Sequence, residues 1–200
     1  MSRLQNVTLF LLVLNLLAGC AAFLVPETSD PAKKLEWARE LIDNQGRPLP
    51  AERLIRDAIE IYRSQHDDSG LAEAYRVYGL FFKSAAVVRE QRFYREKGFI
   101  DKSATYDNRL EKAAEYFGES LIILQKIGDL HALPNLYLQI AFTQQLMKNT
   151  NAACASFDDS LKAHQIRMRQ HPETMVVLPK EFSSFEDGIA VFKQQAGCNG

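Results

Sequence analysis

The sequence has little of what marks a nucleic-acid-binding or a disordered protein. Its 24 lysine and arginine residues are balanced by 25 aspartate and glutamate residues, which gives a formal net charge of −1. Because neither sign dominates, the composition provides no electrostatic footprint for nucleic acid. The 200 residues include only 7 prolines and 10 glycines, while 46% are hydrophobic. This composition predicts a folded, mainly helical chain rather than a disordered one.

The motifs of common catalytic and metal sites are missing as well. The histidines form no HExxH pair, and the three cysteines form no CxxC pair for zinc. There is no GxSxG nucleophile motif and no phosphate-binding loop of the GxxxxGK type. We therefore predict no enzymatic activity, no catalytic residues, no cofactor and no bound metal.

A short apolar run lies at the N-terminus. Arg3 precedes an apolar stretch from Leu9 to Leu17, and small residues follow it. The run is too short for a comfortable membrane-spanning helix. A basic start, a short apolar core and small residues before a break predict a secretory signal peptide.

The end of that segment, Leu17-Ala18-Gly19-Cys20, closely resembles the bacterial lipobox. The resemblance implies cleavage after Gly19, lipidation of Cys20 and, because Ala21 follows, transfer to the outer membrane, facing the periplasm. Acyl chains anchor a protein without spanning the bilayer. An ordinary signal peptide with a chance cysteine is the alternative interpretation. The predicted divisions are a signal peptide over residues 1–19, a tether over 20–30 and a helical domain over 31–200.

The stretch from Pro134 to Arg167 predicts a pair of antiparallel helices. Tyr137 and Ala141 share one face of the first helix, and Ala153, Phe157 and Ser160 share one face of the second. Small residues allow close approach while the aromatic rings fill the space beside them. This spacing resembles the tetratricopeptide repeat (TPR), although Gln144 and Gln165 depart from the family pattern.

The pattern recurs along the chain. Tyr75 precedes Tyr137 by 62 positions, whereas Phe117 precedes Phe157 by 40, so the middle copy carries an insertion of 22 residues. In a weaker first copy, Arg39 occupies the position of a small residue. The resemblance implies an all-α fold, a right-handed TPR-like solenoid of about three hairpins. The predicted repeats are residues 32–65, 72–127 and 134–167, followed by a C-terminal capping helix over 180–196.

Two surfaces are candidates for partner binding. By resemblance, the first helix of each hairpin lines the concave side of the array. The candidate concave residues are Glu73, Arg76, Leu80, Lys83, Asn135, Leu138, Phe142 and Gln145. Leu138 and Phe142 would contact a peptide or helix of a partner, or else be covered by the chain's own C-terminus.

The insertion is the second candidate surface. We expect it to form two lengthened helices with a protruding tip near residues 98–105. Arginines and aromatics, which are enriched at interface hot spots, lie together there. These residues are Arg89, Arg92, Phe93, Tyr94, Arg95 and Phe99. The alternative is a solvated hairpin whose aromatics pack internally.

Cys154 and Cys198 remain after lipidation of Cys20, in a compartment that permits disulfides. A bridge between them would attach the capping helix to the last hairpin, but spacing alone does not decide whether it forms.

The expected function is binding of envelope proteins, with membrane attachment through lipid and no nucleic-acid partner. One interpretation is an adaptor in a secretion system, a pilus or an outer-membrane assembly machine. The alternative is an immunity or inhibitor lipoprotein that binds a secreted toxin. An enzyme of the cell wall is a third interpretation.

Overall fold

The computed structural model describes Val25, residues 27–173 and residues 179–198, and within this part the chain is all helical, with no strand. The predicted all-α class is confirmed. The predicted signal peptide and the lipobox cysteine Cys20 lie outside the described residues. The helices are α1 (Pro31–Asp43), α2 (Pro48–Gln65), α3 (Asp68–Lys83), α4 (Ala85–Arg89), α5 (Gln91–Lys97), α6 (Arg109–Ile127), α7 (Leu133–Leu146), α8 (Thr150–Gln170) and α9 (Phe185–Gln195).

Helix boundaries coincide with capping residues in the sequence. The Asp30 carboxylate accepts hydrogen bonds from the backbone N–H groups of Ala32 and Lys33 at the start of α1. The Asp67 carboxylate accepts one from the N–H of Gly70 at the start of α3. Such side chains satisfy N–H groups that have no partner within the helix. Gly128, with φ at +72°, ends α6 in a left-handed conformation that glycine adopts without strain.

Helices pair into three successive hairpins, α1 with α2, α3 with α6 and α7 with α8, and α2 and α6 also contact the hairpin that follows. Small residues lie where the paired helices meet. A Cβ atom added to Gly79 would approach the Phe117 ring to 2.6 Å, so glycine permits the contact between α3 and α6. In the last hairpin, the buried Ser160 hydroxyl donates to the Pro134 carbonyl oxygen at 2.7 Å.

The predicted form of the insertion is wrong. Helix α3 ends at Lys83, because Ser84 is extended and its hydroxyl accepts a hydrogen bond from the Val87 N–H, which starts the short helix α4. Helix α5 follows, and the chain then turns back through residues 98–108. The expected protruding tip is instead anchored in the core, with Phe99 only 1% exposed.

The C-terminal helix is shorter than expected. It begins at Phe185, where the Ser184 hydroxyl caps it by accepting from the Asp187 N–H, and not near residue 180. It packs on α8 and contributes Ile189 to a small apolar cluster that also contains Phe157 and is distinct from the main core. None of the described helices combines the length and the apolarity that crossing a membrane requires.

Candidate partner-binding groove

A groove of about 380 Å³ lies where α1, α3 and α4 meet. Its apolar part is formed by Ile42 of α1 and by Val77 and Leu80 of α3. Arg39, Asp43, Lys83 and Arg89 supply the charged groups, and Ser84 and Ala85 complete the lining. Three cationic side chains and one carboxylate therefore surround an apolar floor.

Positive charge exceeds negative charge in and beside the groove. Arg39 lies 3.2 Å from the Glu73 carboxylate, and Arg76 donates to both oxygens of the same carboxylate at 2.6 and 2.8 Å. Two arginines thus share one acid at the edge of the groove. Lys83 and Arg89 have no such acid within ion-pair distance among the described residues. The groove is therefore suited to an anionic group with adjacent apolar surface.

Lys83 is the unusual cation of this groove. Its Nζ atom lies 5.5 Å from the ring centroid of Phe117 and 5.8 Å from that of Phe142. Its hydrogen-bond acceptor is the Gln139 carbonyl oxygen, at 3.4 Å. Burial lowers the pKa of the Lys83 amine to about 8, because desolvation penalises its charged form. At neutral pH the amine is thus a cation without a matching carboxylate in the described part of the chain.

Only part of the predicted concave set lies in this groove. Leu80 and Lys83 line it, while Glu73 and Arg76 form the neighbouring ion-pair cluster. On α7, Asn135 is exposed and Gln145 is half-buried.

Leu138 and Phe142 do not form an open surface. Both belong to the cluster beneath α9, and the Phe142 ring lies 5.1 Å from that of Phe192. In the structure, the chain's own C-terminal helix covers these residues, which is one of the two interpretations of the sequence. The prediction that Leu138 and Phe142 form an exposed binding face for a partner is therefore corrected.

The predicted docking aromatics of the insertion are largely internal. Tyr94 and Phe99 are 2% and 1% exposed, and their rings stack with centroids 4.2 Å apart. The Phe99 ring also contacts Phe81 and Phe82 in the main core. Tyr94 and Phe99 are therefore corrected from partner-binding residues to core residues, because their rings fill the space beside α3. Phe93 is half-buried against Tyr94.

The arginines of the insertion separate into different environments. Arg89 lines the groove. Arg92 is exposed and pairs with Glu96 at 3.1 Å. Arg95 pairs with Asp107 at 2.7 Å. The insertion thus contributes one arginine to the groove and does not present a single aromatic and basic patch.

A buried polar network fixes the insertion, and sequence reasoning missed it. Glu52 on α2 is only 3% exposed, and its Oε1 atom accepts hydrogen bonds from the Tyr78 hydroxyl at 2.9 Å and the Ile100 N–H at 2.7 Å. Burial raises the pKa of Glu52, although both hydrogen bonds act in the opposite direction. The available signal was its helical spacing, because Glu52 shares a face with the buried Ile55 and Ile59.

A second carboxylate supports the same turn. The Asp101 carboxylate accepts hydrogen bonds from the Tyr116 hydroxyl and from the Ser103 hydroxyl, each at 2.7 Å. Burial acts to raise the pKa of Asp101, but these hydrogen bonds outweigh it and lower the pKa overall. The insertion is therefore attached to α2 through Glu52 and to α6 through Asp101, which holds α4 and Arg89 beside the groove.

Cys154 and Cys198 are joined by a disulfide in the structure, with Cα atoms 5.7 Å apart. The bond connects the second turn of α8 to Cys198, three residues beyond the end of α9. Lys193 of α9 also pairs with Asp158 of α8 at 2.7 Å.

No group of three or more histidine, cysteine or acidic side chains is arranged to hold a metal ion within the described part of the chain. Comparison with family models, with curated proteins and with solved structures finds no match to this chain.

Proposed function

We propose that the protein is an adaptor of the bacterial envelope, attached to the outer membrane by lipid on Cys20 and facing the periplasm. Its hairpins would stack as a right-handed TPR-like solenoid whose groove binds another envelope protein. Support for the fold comes from the contacts, since each hairpin touches its neighbour in chain order, as in repeat arrays. Support for the anchor comes from the sequence Leu17-Ala18-Gly19-Cys20.

The observation that carries the proposal is Lys83. Burying a cation without a paired anion costs free energy, so such groups are concentrated at functional sites. A carboxylate from a partner would supply the missing charge, and apolar side chains beside it would occupy the floor at Val77 and Leu80. We therefore propose that the groove binds an acidic segment of the partner that also carries apolar residues, in an assembly such as a secretion system, a pilus or an outer-membrane machine.

Site-specific photocrosslinking in cells tests this proposal. A photoreactive amino acid at Leu80 reports on the groove, and one at the exposed Ile122 on α6 serves as the matched control. We expect Leu80 to yield crosslinks to a defined envelope protein that Ile122 does not yield. Lys83→Glu should abolish these crosslinks by charge repulsion. Equal crosslinking from both positions, or none from Leu80, contradicts the proposal.

Two further readouts separate the parts of the proposal. Incorporation of labelled palmitate should disappear in the Cys20→Ala variant, while the helical content of the variant stays unchanged. If palmitate incorporation persists, the anchor assignment is wrong. If the crosslinked partner is a single toxin whose activity the protein blocks, the inhibitor role replaces the adaptor role.

A further inference from the structure

The last hairpin has an apolar face that the terminal helix covers. Leu138 and Phe142 of α7, with Phe157 and Leu161 of α8, form this face, which we call the terminal apolar face. The Phe192 ring packs between Phe142 and Phe157, with centroid distances of 5.1 and 6.3 Å. The face is thus shaped to receive an aromatic side chain from a helix.

Helix α9 is attached to this face by a narrow strip. Its apolar side chains Phe185, Ile189 and Phe192 recur at intervals of four and three, which places them on one side of the helix. Only Gly188 and Ile189 are fully buried, whereas Phe185 and Phe192 remain partly exposed. A strip of three side chains on a two-helix groove is the common way in which an amphipathic helix binds another protein.

The cluster beneath α9 is separate from the main core. Among the described residues, the main core extends from Leu35 to Leu136, also includes Ala163 of α8, and contains no residue of α9. In the described part of the chain, the terminal cluster has four fully buried members, and α9 supplies one of them, Ile189. Removing α9 from its place would therefore expose the terminal apolar face while leaving the main core intact.

We infer that the terminal apolar face is a second docking surface, for an amphipathic helix of a partner protein, and that α9 is its resident occupant under control of the Cys154–Cys198 disulfide. The resident helix defines the partner's chemistry. The partner helix would carry three large apolar side chains at positions i, i+4 and i+7. One position after the last of these it would carry a cation, as Lys193 does, to meet Asp158.

The disulfide sets which helix occupies the face. A bridge from Cys198 to Cys154 keeps α9 beside its site, so a free helix competes against a very high local concentration. A dithiol transfers two electrons and two protons to the bond. Cys154 and Cys198 become thiols and the dithiol is oxidised to its own disulfide. Reduction therefore weakens retention of α9 without changing the face beneath it.

The experiment uses the full chain in lipid nanodiscs and a fluorescent peptide of residues 182–197 as the probe. In the opened variant, Ile189→Glu with Phe192→Glu under dithiothreitol, the resident helix loses its apolar strip. We expect the peptide to bind this variant at least tenfold more tightly than the oxidised wild type, as measured by anisotropy. Adding Leu161→Glu should abolish that binding, because it places a charge in the terminal apolar face.

Hydrogen exchange distinguishes a docking surface from a structural cap. In the opened variant, amides of α7 and α8 should stay protected while those of α9 exchange. In the wild type, dithiothreitol should raise exchange in α9 at least several-fold. The inference is overturned if α7 and α8 lose protection on opening, if the peptide fails to bind the opened variant, or if reduction leaves α9 unchanged. None of these outcomes bears on the groove at Lys83, which the crosslinking experiment tests separately.

Discussion

Replacing Glu52 by alanine tests whether the buried carboxylate holds the insertion to the first hairpin. The change leaves the Tyr78 hydroxyl without its acceptor inside the core, since Tyr78 is fully buried. An unsatisfied buried group costs about 1–3 kcal/mol. The Ile100 N–H also loses its acceptor, but Ile100 is 45% exposed, so water can replace part of that bond.

The net effect is smaller than the sum of these losses because the variant no longer buries a carboxylate. We expect Glu52→Ala to reduce the free energy of unfolding by about 2–3 kcal/mol. With a denaturant slope of about 2 kcal/mol per molar urea, the urea midpoint should fall by about 1–1.5 M. Far-UV circular dichroism during urea titration measures this shift. Glu60→Ala, the same change at an exposed position of α2, should cost no more than about 0.5 kcal/mol.

The Glu52→Gln variant adds a test of pH dependence. Glutamine keeps an acceptor oxygen for Tyr78 and Ile100 but does not ionise. Because the folded pKa of Glu52 lies above its ordinary value of 4.5, the native state binds the proton more tightly than the unfolded state does. The wild type therefore loses stability relative to Glu52→Gln as the pH rises from 4.5 through the raised pKa. Equal urea midpoints for Glu52→Ala and the wild type, or a stability difference that shrinks with rising pH, would refute this reasoning.

Three further changes have expected outcomes in the same urea assay. Gly79→Ala places a methyl group 2.6 Å from the Phe117 ring and should cost about 1–3 kcal/mol, whereas Gly118→Ala, with no atom within 4 Å, should be neutral or stabilising. Lys83→Met should stabilise by up to about 3 kcal/mol at pH 7, and this gain should fade between pH 8 and 10.5, where the wild-type amine becomes neutral in both states. Cys154→Ser opens a loop closed across 44 residues and should cost up to about 4 kcal/mol, a loss that reduction of the wild type should reproduce. If the urea midpoint of Gly79→Ala, Lys83→Met or Cys154→Ser equals that of the wild type, the energetic role assigned to that residue is wrong.

The helical hairpins could be predicted because their signals are local. Ala153, Phe157 and Ser160 are spaced by one helical turn, so their common face is visible without knowledge of distant residues. All three are fully buried in the structure. The disulfide partners Cys154 and Cys198 were also identifiable, since few cysteines remain, but their distance required the folded chain.

The insertion could not be predicted because its conformation depends on contacts between distant residues. Helical spacing continues across Ser84, yet this residue is extended and starts a new helix. The turn at Ile100 is held by Glu52, which lies 48 positions earlier. A hydrogen bond between residues so far apart in the sequence leaves no periodic pattern from which it could be predicted. The sequence left open whether the aromatic residues of this charged segment are exposed or pack internally, and the structure places Tyr94 and Phe99 in the core.

Two of the residues predicted for the concave face, Leu80 and Lys83 of α3, line the groove. The repeat pattern gives no role to Arg39 beyond a departure from the small residue expected at its position. The structure places Arg39 in the groove, where it pairs with Glu73. The arginine at a position where the repeat pattern has a small residue was therefore the available sign of the charged groove.

The hydrogen bond from Ile100 to Glu52 also restricts how this chain can change in length. Arrays of hairpins ordinarily gain or lose whole units, because each unit contacts only its neighbours. Here the segment that interrupts the second hairpin is hydrogen-bonded to the first hairpin. Deleting the second hairpin would leave Glu52 buried without the Ile100 N–H, and deleting the first would leave the turn that carries the core residue Phe99 without its acceptor. We expect relatives to vary in hairpin number after α6 and to keep residues 31–127 as one inseparable unit.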